Sequence, residues 1–287
     1  MSISVVRTFI KMRQTLATTG YRHAMKIIDL DEQHLPLYLV CLEDWSDEIK
    51  EAGNRKELWY LRMKDKGLRV KLALDDQEAV GGMIQYIPIE YAFAEGRDLY
   101  FVTCIWVHGH KQGRGNFQGK GMGKALLLAA EDDARSLGAK GVVAWGLVLP
   151  FWMRAGWFKK HGYKVADRTG IMSLVWKPFT ADALPPKWMK QTGKPPLVQG
   201  KVTVTAFCNG WCNAQNMVFE RAKRAATDPQ FAGKVAFREI STLDHEEFCR
   251  WGISDALFVN NKEVRTGPPP SYDKLHKLIE KKAKKLP

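Results

Sequence analysis

Two short stretches of this 287-residue chain carry residue types and spacings that do chemistry. The first is Gln118-Gly119-Lys120-Gly121-Met122-Gly123-Lys124, between an apolar run and an Ala/Leu-rich segment. Glycines let the backbone approach a bulky anion there, and the free amides of a first helical turn donate to its oxygens, aided by the helix dipole. The pattern predicts a phosphate site; a glycine turn that merely packs a helix onto a sheet is the other reading. The second stretch is Cys208-Asn209-Gly210-Trp211-Cys212, after a predicted strand and before a predicted helix. A helix N-terminus stabilises a thiolate, which opens thiol-disulfide or soft-metal chemistry beside a structural or substrate-docking role.

Two familiar phosphate loops do not fit the glycine stretch. A Walker A loop needs Ser or Thr after Gly-Lys, and Ala125 follows Lys124. A dinucleotide fingerprint needs G-x-G-x-x-G, and glycines at 119, 121 and 123 have the wrong spacing. Candidates for proton transfer are His108, in an H-x-H with His110 that also reads as a solvated pair, and Glu43, next to Asp44 at a helix end. His161 precedes a glycine turn, and Cys104 reads as a small core residue. A closed zinc site at Cys208 and Cys212 would need Cys249, His245 or another chain, so no metal is expected.

The elements that place these residues follow from periodicity. Helical spacing runs over Leu35 to Leu42 and Arg55 to Lys66, with Leu58, Leu61 and Met63 as buried candidates. Strands are predicted at Leu68 to Leu74 and Ala79 to Ile89, joined by Asp75-Asp76-Gln77. Leu99 to Val107 is an apolar, β-branched and aromatic run, read as a central strand. The glycine loop then leads into a helix through Arg135, ended by Gly138, followed by strands at Val142 to Leu149 and Ile171 to Trp176. Further on come a strand at Val202 to Phe207, a helix at Asn213 to Ala226, strands at Val235 to Ile240 and Ala256 to Asn260, and a basic helix at Tyr272 to Lys285.

Length and charge bound the organisation. A chain this long predicts two domains, and the prolines at 178, 185, 186, 195 and 196 mark an extended connection between them. The expected division is a basic extension at 1–24, a first domain at 25–179, a linker at 180–200 and a second domain at 201–287; the extension is expected to be poorly ordered or a surface helix. Charged residues make up 26% and apolar residues 45% of the chain, which excludes wholesale disorder and collagen, and no apolar run is long enough to span a membrane. Lys and Arg number 44 against 31 Asp and Glu, a net +13, which favours an anionic partner without choosing among nucleic acid, a membrane surface and a phosphorylated small molecule. Five cysteines fit a reducing, cytoplasmic compartment better than a disulfide framework.

In order and spacing, these motifs resemble the GNAT acetyltransferase superfamily over roughly Met25 to Phe179. Gln118, Gly121 and Gly123 match its acyl-CoA-binding Gln/Arg-x-x-Gly-x-Gly/Ala segment. Cys104-Ile105-Trp106-Val107 looks like the end of the family's fourth strand, and Ala155-Gly156-Trp157-Phe158-Lys159-Lys160-His161-Gly162-Tyr163 is similar to its downstream signature. The resemblance implies a mixed sheet flanked by helices, an α/β (α+β) fold with acetyl-CoA as cosubstrate. It also implies CoA contacts from Ile105, Trp106, Val107, Gln118, Gly119, Lys120, Gly121, Met122, Gly123, Lys124 and Phe158. In the implied reaction a deprotonated amine attacks the thioester, whose carbonyl is polarised by strand amides. The chain departs from the pattern at Phe158, where many members carry a Tyr that protonates the CoA sulfur, and in having no carboxylate between Leu99 and Val107. The acid and base must then come from His108, Glu43 or water.

From Val202 on, the order strand, cysteine pair, helix, strand and terminal hairpin resembles thioredoxin- and glutaredoxin-like domains, and a GNAT domain followed by such a module resembles the YoaP group. The departures are three residues between Cys208 and Cys212 in place of two, and no Pro in Ser254-Asp255-Ala256. The expected function is N-acyl transfer from acyl-CoA to an unidentified small-molecule or peptide amine, with the second module aiding acceptor binding. The alternative is a thiol-redox or soft-metal-binding protein whose first half only binds CoA. A nucleic-acid partner is disfavoured by the lack of a groove-reading motif.

Overall fold

The computed structural model describes residues 25–149, 153–264 and 268–286, so the expected extension at 1–24 lies outside the described residues. Seven strands form one mixed sheet: β1 (Lys26–Asp29), β2 (Arg69–Leu74), β3 (Val80–Pro88), β5 (Leu99–Val107), β6 (Gly141–Leu147), β7 (Lys164–Thr169) and β8 (Met172–Pro178). Their spatial order is β1-β2-β3-β5-β6-β8-β7, and every neighbouring pair is antiparallel except β5 and β6. A parallel pair needs a crossover, supplied here by α3 (Met122–Ser136). Met122, Leu126, Leu127, Ala130 and Ala134 are buried at helical spacing and lay α3 on one face of the sheet.

The other face is covered by α1 (Leu35–Leu39) and α2 (Arg55–Met63). Here the burial differs from the sequence reading. Met63 is buried, but Leu58 and Leu61 are 47% and 49% exposed. The inward positions are Lys56, Trp59 and Met63, spaced three and four apart, because the Trp59 ring has far more apolar area to hide than either leucine. Lys56 goes in with it by giving its ammonium to the Tyr38 carbonyl at 2.8 Å.

The chain from Val202 builds a second, four-stranded sheet ordered β11-β10-β12-β13, from β10 (Val202–Cys208), β11 (Val235–Ser241), β12 (Ala256–Val259) and β13 (Lys262–Glu263). β10 and β11 are parallel, while β12 is antiparallel to β10 and β13 to β12. Helix α5 (Asn213–Ala226) joins β10 to β11, α6 (His245–Trp251) joins β11 to β12, and α7 (Tyr272–Ala283) follows. The connection before this sheet is strapped down. Its β9 (Lys187–Trp188) pairs with β4 (Ala94–Glu95), the Trp188 amide donates to Asp167, and Thr192 donates to the Trp251 carbonyl.

The two sheets meet through α2, α5 and the 3-10 turn Asp47–Ala52. Arg221 on α5 is nearly sealed and donates to Glu48 at 2.7 Å, to both Glu51 oxygens at 3.1 Å and to the Pro270 carbonyl. Arg55 reaches back to Glu220 at 2.6 Å and lies over the Phe219 ring at 3.8 Å. Replacing Arg221 by Met should cost about 2 kcal/mol, less than a fully buried pair because the glutamates keep access to water. A denaturant titration checks this, and an unchanged midpoint contradicts the load assigned to Arg221.

Candidate functional site

The site begins where β5 leaves β6. The two strands pair from Leu99↔Gly141 to Val102↔Ala144 and no further, although β5 runs on to Val107 and β6 to Leu147. A register shift opposite Gln85 and Tyr86 leaves Thr103 as an extra residue on β5, and a bulge of this kind bends its strand. The Trp145 indole donates to the Thr103 carbonyl at 2.8 Å and props the notch. Beyond it, Ile105, Trp106 and Val107 keep backbone groups that β6 does not pair.

At the far end of this notch, α3 starts. Gly119 and Gly121 have φ of +77° and +87°, and a Cβ on either would meet nothing within 4 Å, so glycine is required by conformation and the space in front is open. Gly121 caps α3 with no side-chain cap and no acidic residue in the first turn. The amides of Met122, Gly123 and Lys124 therefore have no intrahelical acceptor and carry the positive end of the dipole. Gln118 ties the loop to β5 by donating to the Val107 carbonyl at 3.4 Å, and Lys120 lies over the Phe117 ring. A Cβ on Gly123 would stand 3.4 Å from the Trp157 ring and 3.7 Å from Val107, ordinary contacts that place the start of α3 beside both.

Trp157, not Phe158, is therefore the aromatic at the loop. Helix α4 (Ala155–Lys160) buries Ala155 and Phe158 three residues apart, which turns Trp157 outward toward α3. Phe158 is 1% exposed, between the rings of Trp157 and Tyr163.

His108 is fully buried rather than solvated. Its Nε2 accepts from the Trp45 indole at 3.0 Å, which fixes the Nδ1 proton to donate to the Gly115 carbonyl at 2.7 Å. Its amide donates to Gly81 and its carbonyl accepts from Phe117, so His108 holds the loop to the end of β5 with both ring nitrogens in use. Glu43 reaches to 4.0 Å from His108 Nε2 and keeps partial solvent access. Trp45, Trp106, His108 and His110 form a ring cluster here, with centroids 5.4 to 6.3 Å apart.

The cysteine stretch is docked against the first sheet. The Trp211 ring packs on Phe93 and Trp145, its carbonyl lies 3.5 Å from Gln85 Nε2, and its indole donates to Asp255 at 2.9 Å. Cys208 ends β10 and Cys212 caps α5, and both are buried free thiols. Burial pushes the Cys208 thiol up, with Asp255 adding to it. Cys212 is pushed up to about 12, by burial first and by Cys41 next, against the pull of the Gln215 and Ala214 amides. Desolvation thus outweighs the helix dipole. His245 and Cys249 pair with each other on α6 at 3.4 Å, and among the described residues no group of three or more His, Cys, Asp or Glu could hold a metal ion.

Gly210 makes this docking possible: at φ +106° its missing Cβ would lie 2.8 Å from the Arg55 carbonyl oxygen. Gly210→Ala should cost about 2 kcal/mol through overpacking and strain, with Gly193→Ala, where nothing lies within 4 Å, as a near-neutral control. Equal midpoints for the two variants in urea would contradict this packing.

Residues 34–163 match the model of the Acetyltransferase (GNAT) family. Among solved structures, the chain is similar to a GNAT family acetyltransferase from Brucella melitensis in complex with acetyl-CoA, at 18% identity over 58% of this chain and 96% of that one, TM-score 0.39. It is also similar to the PaiA N-acetyltransferase of Thermoplasma acidophilum in complex with coenzyme A, at 18% identity over 54% and 99%, TM-score 0.40. The YhbS acetyltransferase of Escherichia coli in complex with CoA aligns at 16% identity over 57% and 87%, TM-score 0.41. No curated protein matches. Over residues 34–163, somewhat under half of the chain, the protein is similar to the GNAT acetyltransferase family.

Proposed function

We propose that this protein transfers an acyl group, acetyl in the first instance, from acyl-CoA to an amine-bearing small molecule or peptide. The observation that carries the reading is the notch between β5 and β6 leading to the open amides at the start of α3. Pyrophosphate sits on the amides from Gly119 to Lys124 with Lys120 and Lys124 adding charge, and pantetheine pairs with the free backbone of Ile105 to Val107. This gives part of the +13 a use. The thioester carbonyl faces strand amides that stabilise the oxyanion. With both nitrogens of His108 engaged, Glu43 is the carboxylate placed to take the amine proton through water, and the departing CoA thiolate is protonated by solvent.

The second sheet is read as a thioredoxin-like module of the YoaP type, spanning 201–287 after a linker at 180–200 and a first domain at 25–179. Its support is the order β11-β10-β12-β13, with two parallel strands joined by a helix that follows the cysteine stretch. In this reading the module works by docking: Trp211, Cys212 and Asn213 pack against the first sheet and α1 and so shape the side from which the acceptor approaches. Buried, raised thiols do not favour the redox alternative. Among the described residues no helix is long and apolar enough to cross a membrane, and five free cysteines support a reducing cytoplasmic setting.

Acetyl-CoA should raise the thermal midpoint of the protein, and Gly121→Glu, which puts a carboxylate where the pyrophosphate would sit, should abolish the rise. Absence of any CoA-dependent shift in the unmodified protein defeats the proposal. With a panel of amines, free CoA release should depend on the amine and not on added reductant.

A further inference from the structure

We infer that Trp145 of the first sheet and Trp211 of the cysteine stretch are specificity-determining residues for the donor, two indoles that stop the acyl end of the notch and restrict the thioester to a short chain such as acetyl. This deepens the acyltransferase reading above and rests on it.

Where the acyl group lies follows from the direction of the notch. One end is at the start of α3 beside Val107, the place of the pyrophosphate in that reading. The other end is closed where β5 and β6 last pair, at Val102 and Ala144. A pantetheine arm that leaves the first end and runs along Val107, Trp106 and Ile105 carries its sulfur toward Cys104 and Thr103. The acyl carbon is the next atom, so whatever stands at the closed end decides how much chain can follow it.

The two faces of the sheet differ at this level. Ile105 and Val107 are register partners of Ile84 and Gly82, and Leu126 of α3 lies 3.0 Å from where a Gly82 Cβ would stand, so helix fills their face. Cys104 is the partner of Gln85, which accepts from Tyr38 of α1, so it faces the other side, the one from which the acceptor approaches in the reading above. The acyl carbonyl has to be open on that side to be attacked.

Trp145 is the first β6 residue beyond the last pair with β5, and its ring meets the Trp211 ring edge-on at 6.4 Å and 84°. Phe93 packs against both, at 6.2 Å from Trp145 and 5.4 Å from Trp211. The two indoles are 8% and 7% exposed, and each is pinned by its N–H. Trp145 donates to the Thr103 carbonyl at 2.8 Å, and Trp211 donates to Asp255 at 2.9 Å and to Ser254 Oγ at 3.1 Å. Asp255 is itself held by the Asn209 amide at 3.0 Å. A ring that swings aside would leave a buried donor unpaired, which is costly. Trp211 and Phe93 back Trp145, so a longer acyl chain has to displace a ring held on two sides. Through Trp211 the second module reaches the donor side of the reaction as well as the acceptor side.

The test titrates the full chain with CoA, acetyl-CoA, butanoyl-CoA and hexanoyl-CoA by calorimetry, with no acceptor present. The unmodified protein should bind hexanoyl-CoA roughly tenfold or more weaker than acetyl-CoA, the scale on which a packed site rejects added methylenes. Trp145→Phe and Trp211→Leu should each move that ratio roughly threefold or more toward hexanoyl-CoA, about the gain from burying one further methylene. The reading is a ratio, so a variant weakened toward every thioester alike does not imitate the effect, and a residue that only supports the fold would not improve the longer donor. Equal affinity of the unmodified protein for acetyl-CoA and hexanoyl-CoA overturns this inference alone. So does an unmoved ratio in whichever of the two variants folds. Failure of the unmodified protein to bind CoA and acetyl-CoA overturns the reading beneath it.

Discussion

A parallel pair of strands that stops pairing halfway leaves a row of backbone groups to be satisfied, and in this protein the rest of the site is arranged around that row. β5 and β6 part after Val102 and Ala144 because Thr103 is one residue too many for the β3 register. Buried backbone polar groups need partners, and Trp145 supplies one, at Thr103. In the proposed function the groups further along, which β6 does not pair, meet the amides of pantetheine. The start of α3 lies beside Val107 of the same strand, so that in the proposed function a molecule lying in the notch has its anionic end at the helix N-terminus. His108, Trp45 and Gln118 hold the loop in that register.

The second sheet closes one side of this arrangement. Its cysteine stretch shares a hydrophobic core with the first sheet through Trp211 and Cys212, and Gly210 lets the two backbones touch. The Arg221 and Arg55 ion pairs add to the attachment. Burial is what makes the docking firm and also what pushes the Cys208 and Cys212 thiols up. The same docking sets Asn213 of α5 on the Leu39 carbonyl at the end of α1.

The sequence made strands with both faces buried easy to find: Leu99–Val107 is apolar throughout and has the observed bounds, and Asn213–Ala226 shows a helical stripe with the observed ends. The edge strand Lys164–Thr169 was hidden because its outward side chains are polar, and the short α6 because a cap at Asp244 and seven residues leave too little periodicity. The glycine turn before α3 could be read from its residues, since positive φ leaves a residue-type signature. The catalytic surroundings could not. His108 and Phe158 have the right chemistry or the right motif position, but their roles depend on which way a helix or loop turns them. Lys56 stands between Arg55 and Glu57 in the chain, so its burial left no mark in the sequence.

A crystal structure with a non-hydrolysable acetyl-CoA analogue tests the central claim most directly. The account predicts pyrophosphate oxygens within hydrogen-bond distance of the amides of Gly121 to Lys124, and pantetheine lying along Ile105 to Val107 in the notch beside β6. Analogue bound elsewhere, with the notch filled by protein or water and the α3 amides untouched, would contradict it.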